Sequence, residues 1–272
     1  MSELDLMIEA AIAASSVICR VYERGAVPDY KPDRSPVTEA DLAAEAVILE
    51  RLAPSGLAVL AEESVAAGRI PELGDRYFVV DPLDGTKEFL KRNGEFTVNI
   101  ALCAGRRPIA GVVLAPATGV IYWGGAAGAF RARVVDGTLA AEPERLRMSE
   151  GRPSRVVGSR SHGHAALDGL MERMGISANV SVGSSLKFCL VAGGEADLYP
   201  RFGPTCQWDT AAGQAVLEAA GGSVLTIDGT PLSYGHGLGD GFLNPYFVAA
   251  TDLALAEEAA AEMRRALATH PG

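Results

Sequence analysis

The most constraining feature of the chain is the run Tyr77-Phe78-Val79-Val80-Asp81-Pro82-Leu83-Asp84-Gly85-Thr86-Lys87-Glu88-Phe89. Its first four residues are apolar and bounded by polar ones, which predicts a buried strand. Pro82 and Gly85 form turns, so the strand is expected to end just after Asp81. Two aspartates three apart then leave a strand end together and can face one point. Carboxylates that close raise each other's pKa, and a bound cation relieves the repulsion. A site of oxygen ligands selects Mg²⁺, Mn²⁺ or Ca²⁺ over zinc. The same dipeptides also suit a solvated surface turn, and the run alone does not separate the two readings.

A chain of 272 residues with 48% hydrophobic content can bury a large core, as one domain or as two halves sharing it. The net charge of -10 argues against a broad electrostatic grip on nucleic acid. An anionic substrate stays compatible with it, because divalent ions reverse the sign locally. Cys19, Cys103, Cys189 and Cys206 form no CxxC pair and lie in or beside apolar segments, as buried thiols of a reducing compartment do. No apolar run approaches the ~18 residues of a membrane span. The start Met-Ser-Glu-Leu-Asp lacks the basic residues of a signal peptide. The expected location is the cytoplasm, with peripheral attachment to the inner membrane left open.

The pattern predicts helices over 3–24, with Ser2 as cap and Gly25 as stop, and from Thr38 to about 53. Leu57 to Ala61 reads as a strand ending in Glu62-Glu63. Apolar runs at 96–103, 109–115, 120–124 and 128–133, separated by Gly, Pro and Arg, predict an antiparallel sheet. The polar stretch 136–153 marks a boundary, giving an N-terminal half over 1–145 and a C-terminal half over 146–272. Strand and helix alternate beyond it. Ser184–Ala192 and 209–220 are expected helices, the second opened by Asp209 as its N-cap.

Several groups could join the two aspartates. Glu62 or Glu63 can project from a strand end, or form a solvated acidic loop. Asp209 can cap its helix and still offer an oxygen to a metal. Asp41 sits at the third position of a Thr38-Glu39-Ala40-Asp41 helix start. Gly85 and Thr86 lie where a turn presents N–H groups to phosphate oxygens. Arg160, Lys187 and Arg201 are either substrate contacts or surface charges. Tyr199 and Phe202 suit base stacking or, more simply, the core.

Taken in order, these motifs resemble the magnesium-dependent, lithium-sensitive phosphatases of the inositol monophosphatase superfamily. The resemblance runs from Ser35-Pro36-Val37-Thr38-Glu39-Ala40-Asp41 to Leu243-Asn244-Pro245. Within the superfamily the chain is most similar to the CysQ-type branch of 3′(2′),5′-bisphosphate nucleotidases. That narrower match rests on Asp81 to Phe89, Ser159-Arg160-Ser161-His162, Gly183 to Cys189, and Asp197 to Thr205 running into Trp208-Asp209-Thr210-Ala211-Ala212-Gly213. It departs only at Cys206-Gln207, a variable position.

The resemblance implies an α+β or α/β fold, a layered αβαβα sandwich with the site in the cleft between its halves. It implies two Mg²⁺ ions. Glu62, Asp81 and the Leu83 carbonyl would hold the first, and Asp81, Asp84 and Asp209 the second. Glu62 would also hold a weaker third ion through water. Asp41, paired with Thr86, would activate water, while Leu83, Asp84, Gly85, Thr86, Arg160, Lys187 and Asp209 would contact substrate. The implied activity is hydrolysis of adenosine 3′,5′-bisphosphate to AMP and phosphate, a step that recycles the by-product of sulfate assimilation, with the activated sulfate donor as a second substrate. An inositol monophosphate or sugar-bisphosphate phosphatase with the same metals is the alternative. A non-catalytic regulatory binding protein is more remote, because Asp81, Asp84 and Asp209 are all present. The implied partner is a small phosphorylated nucleotide, bound by a monomer or homodimer with no nucleic acid and no transmembrane segment.

Overall fold

The computed structural model describes the chain except residues 32–33, 141, 150, 152, 160–164, 237–240 and 270–272. Helix α1 (Glu3–Arg24) opens with a Ser2–Asp5 capping box and stops at Gly25, whose φ of 82° suits glycine. A small hairpin of β1 (Asp29–Tyr30) and β2 (Pro36–Val37) leads to α2 (Glu39–Leu52), capped by Thr38. Strand β3 (Ala58–Ala61) passes directly into the short helix α3 (Glu62–Ala66). Strand β4 (Arg76–Asp84) runs parallel to β3 and leads into the short helix α4 (Thr86–Leu90).

Strands β5 (Thr97–Ala104), β6 (Arg107–Ala115), β7 (Val120–Gly125) and β8 (Gly128–Val135) extend the sheet as the expected antiparallel meander. Two short strands, β9 (Thr138–Leu139) and β10 (Glu144–Arg145), pair with β8, so part of the polar stretch after 136 belongs to this sheet.

The chain then alternates: β11 (Arg155–Ser159), α5 (Ala165–Met174), β12 (Ala178–Val182), α6 (Leu186–Ala192) and β13 (Leu198–Arg201). A 3₁₀ turn at Gln207–Asp209 precedes α7 (Ala211–Ala219). The last elements are β14 (Ser223–Thr226), β15 (Phe247–Ala250) and α8 (Leu253–Thr269). The second sheet has the order β12-β11-β13-β15-β14 and mixes parallel with antiparallel pairs.

Five layers follow from which side of each strand is covered. Phe78, Val80, Ile100 and Val112 pack on one face of the first sheet, against Met7, Ile18, Ala44 and Ile48 of α1 and α2. Their neighbours Tyr77, Val79, Ala101 and Val113 face the other way, onto Phe188, Val191, Ala212 and Val216 of α6 and α7. Those two helices also meet Val157, Tyr199, Phe247 and Ala249 of the second sheet. Val156, Leu198, Val248 and Ala250 point outward to α5 and α8. The result is the expected αβαβα sandwich, with strands apolar on both faces because both are covered.

The middle layer is tight. A Cβ on Gly111 would lie 2.4 Å from the Ala212 carbonyl oxygen, and one on Gly124 would lie 2.7 Å from Val216 Cα. Glycine at these two positions lets α7 lie directly on the first sheet. That contact fixes the height of the turn that carries Asp209.

Candidate active site

Strand β4 does not end after Asp81, as the sequence reading expected. It continues through Pro82 and Leu83 to Asp84. Asp81 pairs with Asn99 and Asp84 with Thr97, with a register shift between the two pairs. Two residues of β4 thus oppose the single Val98, the geometry of a β-bulge. Pro82 is tolerated because β3 pairing stops at Val80, leaving that side of β4 unpaired. The bulge has a chemical consequence. Residues three apart on a regular strand point to opposite faces, and the extra residue returns Asp84 to the face of Asp81. Both carboxylates therefore face the C-terminal half of the molecule.

Other elements bring their groups to the same place. Glu62 is the first residue of α3, close enough to Asp81 for the two carboxylates to act on each other. Helix α3 is anchored from α2. Glu45 accepts from the Glu63 N–H (2.7 Å) and the Ser64 hydroxyl (2.6 Å). Asp209 lies in the 3₁₀ turn and accepts from the Cys206 N–H (2.8 Å). The N-cap of α7 is Thr210 rather than Asp209, because the turn inserts before the helix begins. Asp41 caps its own helix start through Oδ2, accepting from Thr38 N (2.8 Å) and Thr38 Oγ1 (2.7 Å). Its other oxygen, Oδ1, accepts from the Thr86 hydroxyl (3.0 Å), and that hydroxyl also lies 3.4 Å from the Leu83 carbonyl.

Electrostatics mark the cluster. Burial, then Glu62, Asp84 and Asp209, push Asp81 well above the usual carboxylate range. Burial, then Asp84 and Glu62, do the same to Asp209. Burial lifts Asp84 to about 6, against the pull of Lys187 and the Ser185 N–H. Burial likewise raises Asp41 and Glu62. Such mutual destabilisation is what a divalent cation would remove, and every donor is an oxygen. The residues fit a hard cation by charge and chemistry. Among the described residues, no three carboxylate, histidine or cysteine groups stand at ligand spacing around one point as the side chains lie.

Two participants carried no sequence signal that singled them out. The ammonium of Lys31, from the loop between β1 and β2, is 2.6 Å from Glu62 Oε1 and 2.7 Å from Glu63 Oε1. Burial opposes that charge, but the two glutamates outweigh burial and hold the lysine above its ordinary pKa. Glu45 was missed although it lies four residues after Asp41, on the same helix face.

The rest of the cleft comes from the C-terminal half, which also supplies Asp209. Asp84, Gly85 and Lys87 share a cleft of about 600 Å³, open mouth included, with Ser184, Lys187, Tyr199, Arg201 and Asp209. Lys187 is 4% exposed, which removes the surface-charge reading. Burial pulls its pKa down to about 8, against Asp84. Its Nζ donates to the Val182 (3.3 Å) and Ser184 carbonyls, and lies 5.5 Å from the centre of the Tyr199 ring. Ser184 has a φ of 50°, and its buried hydroxyl has no hydrogen-bond partner among the described residues. Arg201 lines the cleft and donates to the carbonyls of Gly203 (3.2 Å) and Pro204 (2.9 Å). Tyr199 reaches the cleft while packing on Phe188 and Phe247, whereas Phe202 belongs to the outer core. Arg160 and the Ser161-His162 pair lie outside the described residues.

The layered fold and the carboxylate-lined cleft agree with the family comparison. The profile of the inositol monophosphatase family matches residues 2–268. The chain belongs to that family. Its curated relatives include the 3′(2′),5′-bisphosphate nucleotidase CysQ of Escherichia coli K12, 45% identical over 90% of this chain and 98% of that protein. The CysQ of Buchnera aphidicola is 39% identical over 90% of this chain and 92% of its own length. Among solved structures, CysQ from Bacteroides thetaiotaomicron superposes with a TM-score of 0.77 at 37% identity, covering 91% of this chain and 97% of that one. An IMPase from Thermotoga maritima, 24% identical, shares the fold with a TM-score of 0.78 and covers 99% of each chain. None of the four cysteines is in a disulfide, and no described helix is long and apolar enough to cross a membrane.

Proposed function

We propose that the chain is a Mg²⁺-dependent 3′(2′),5′-bisphosphate nucleotidase that hydrolyses adenosine 3′,5′-bisphosphate to AMP and phosphate. The observation that carries the reading is a cleft of mixed charge. Asp84 and Asp209 line it together with Lys187, Arg201 and the Ser184 hydroxyl, which has no hydrogen-bond partner among the described residues. A substrate with two phosphates needs both: one end at the metals, the other at cations the protein itself supplies. The names of the CysQ relatives support the same reading.

Glu62, Asp81 and the Leu83 carbonyl would hold one ion, Asp81, Asp84 and Asp209 another, and Glu62 a weaker third through water. When bound, the ions would lower the pKa of the attacking water and neutralise charge on the transferring phosphoryl group. The remaining work falls to the chain. Asp41 keeps Oδ1 on Thr86, and with that hydroxyl it orients the attacking water and takes its proton. The Gly85-Thr86 turn, with Gly85 at φ 95°, presents N–H groups to the phosphate oxygens. Lys187 and Arg201 hold the second phosphate, and the Tyr199 ring limits the cleft beside them. Lys31 holds one oxygen of Glu62, so the lysine and an ion would compete for that carboxylate.

The test is phosphate release with Mg²⁺ from adenosine 3′,5′-bisphosphate and inositol 1-phosphate in parallel, each with and without lithium. Preference for the nucleotide, suppressed by lithium, is expected. Preference for inositol 1-phosphate would keep the carboxylate assignment and remove the nucleotide reading. Release from neither would remove both.

A further inference from the structure

A second buried polar system lies behind Asp209. The turn at 205–210 sits beneath a strap made of residues 232–236 and 242–244. Main-chain bonds join them: Gln207 N to Phe242 O (2.9 Å), Asn244 N to Thr205 O (2.8 Å), and a bridge between Cys206 and Leu243. Side chains add more. Asn244 Nδ2 reaches Cys206 O (2.7 Å), Thr210 Oγ1 (3.0 Å) and Thr205 Oγ1 (3.2 Å). The Gln207 amide donates to His236 O (2.8 Å) and accepts from Gly235 N (2.6 Å).

The system then runs along α7. Tyr234 Oη donates to Gln214 Oε1 (2.6 Å) and meets Thr210 Oγ1 at 3.1 Å. Gln214 Nε2 donates to Glu218 Oε1 (2.7 Å). Arg107, from the first sheet, closes on both Glu218 oxygens (2.8 and 2.9 Å). Tyr234, Gln207 and Gln214 are fully buried, and Thr210 is 1% exposed. Buried polar side chains cost stability unless satisfied, and apolar residues would fill the same space more simply. The system ends on Thr210, the residue after Asp209, and on Cys206, whose N–H donates to the Asp209 carboxylate.

We propose that Tyr234 and Asn244 are positioning residues for Asp209, setting the angle at which its carboxylate is offered to the cation. Neither touches the cleft; they act through Thr210 and Cys206. The inference rests on the reading of Asp209 as a metal ligand, so the experiment separates the two.

Mg²⁺ alone is titrated calorimetrically into the full chain and into Tyr234→Phe, Asn244→Ala, Asp209→Asn and the double variant Tyr234→Phe/Asp209→Asn. Thermal unfolding of each is followed in parallel. Loss of one oriented hydrogen bond should weaken Mg²⁺ binding about 10-fold in Tyr234→Phe, with cooperative unfolding retained. The double variant should bind no more weakly than Asp209→Asn, because both changes act through one group. Unchanged binding in Asp209→Asn would overturn the metal-ligand reading. Weakened binding there with unchanged binding in Tyr234→Phe and Asn244→Ala would overturn only the positioning role. Additive losses in the double variant would place the tyrosine's effect elsewhere and also overturn it. If both Tyr234→Phe and Asn244→Ala lose the cooperative transition, the system is structural and the proposal fails.

Discussion

Lys31 Nζ lies 2.6 Å from Glu62 Oε1, with 11% of the lysine side chain exposed. The same ammonium bridges to Glu63. A loop cation thus offsets the charge of two adjacent glutamates at the edge of the carboxylate cluster. Removing one partner of a buried pair leaves uncompensated charge, at a cost of about 3–5 kcal/mol. Lys31→Met should therefore lower the melting temperature of the metal-free protein by roughly 5–15 °C. Mg²⁺ binds the folded form and should restore more stability to the variant than to the parent. Melts with and without Mg²⁺ check this. Equal stabilisation of both proteins would mean that lysine and ion do not compete for Glu62.

Asp81 is the carboxylate most crowded by its own kind, at 2% exposure and with Glu62, Asp84 and Asp209 all acting on it. Asp81→Asn should lower phosphate release by on the order of 10³-fold or more, the scale for losing a preorganised charge in a closed site. It should also raise the melting temperature of the metal-free protein, because one repelling charge is gone. Thr86→Ala should lose less activity, since the turn's backbone donors remain. Steady-state rates and metal-free melts on the same preparations test both claims. Near-normal turnover in Asp81→Asn would contradict the two-metal reading.

Much of this site can be read in the chain before folding, and the remainder has a physical reason for being hidden. Asp81, Asp84 and Thr86 stand next to a strong strand signal, so their shared location is local information. Their common face is not, because it depends on a bulge defined by pairing with Thr97 and Asn99 of another strand. Asp209 was legible as a residue opening a helix, but the inserted 3₁₀ turn is set by distant Phe242 and Asn244. Lys187 is buried beside Asp84 and the Tyr199 ring, which lie in other elements, so its burial is tertiary information. Lys31 sits in a proline-rich loop without periodicity, and only tertiary structure brings it to Glu62. The five layers were legible only through resemblance, since strand and helix patterns do not say which helices lie between two sheets.

The acid–base behaviour of the carboxylate cluster in metal-free protein has a definite sign. Burial, then repulsion, raises Asp84 to about 6, while burial raises Glu63 to about 7 despite its Lys31 contact. A carboxylate whose pKa is raised by folding favours the fold at low pH. That contribution is lost as pH rises through the folded value. The melting temperature of the metal-free protein should therefore carry a falling component between about pH 4 and pH 7. Saturating Mg²⁺ should flatten it. Metal must also displace protons, so binding should release them near pH 6. Titrations in buffers of different ionisation enthalpy measure that release. No buffer dependence would mean the carboxylates are already ionised in the metal-free protein.

Asp197 has the opposite sign and lies away from the cleft residues. Burial works against its charge. Hydrogen bonds from the Ser149 hydroxyl, the Ser154 N–H and Arg155 outweigh burial and hold its pKa at about 2. These contacts tie the start of β11 to the residue before β13. A carboxylate with a lowered pKa stabilises the fold above its unfolded value, and that stability is lost as pH falls through the folded one. The contribution is about 2 kcal/mol at neutral pH. Asp197→Asn should be less stable than the parent by roughly that amount at pH 7. The gap should narrow as pH drops from about 4 toward 2, where the parent's own carboxylate protonates. Urea unfolding of both proteins across this range reads the difference directly. A gap that stays constant with pH would locate the loss in shape or hydrogen-bond count rather than in the charge of Asp197.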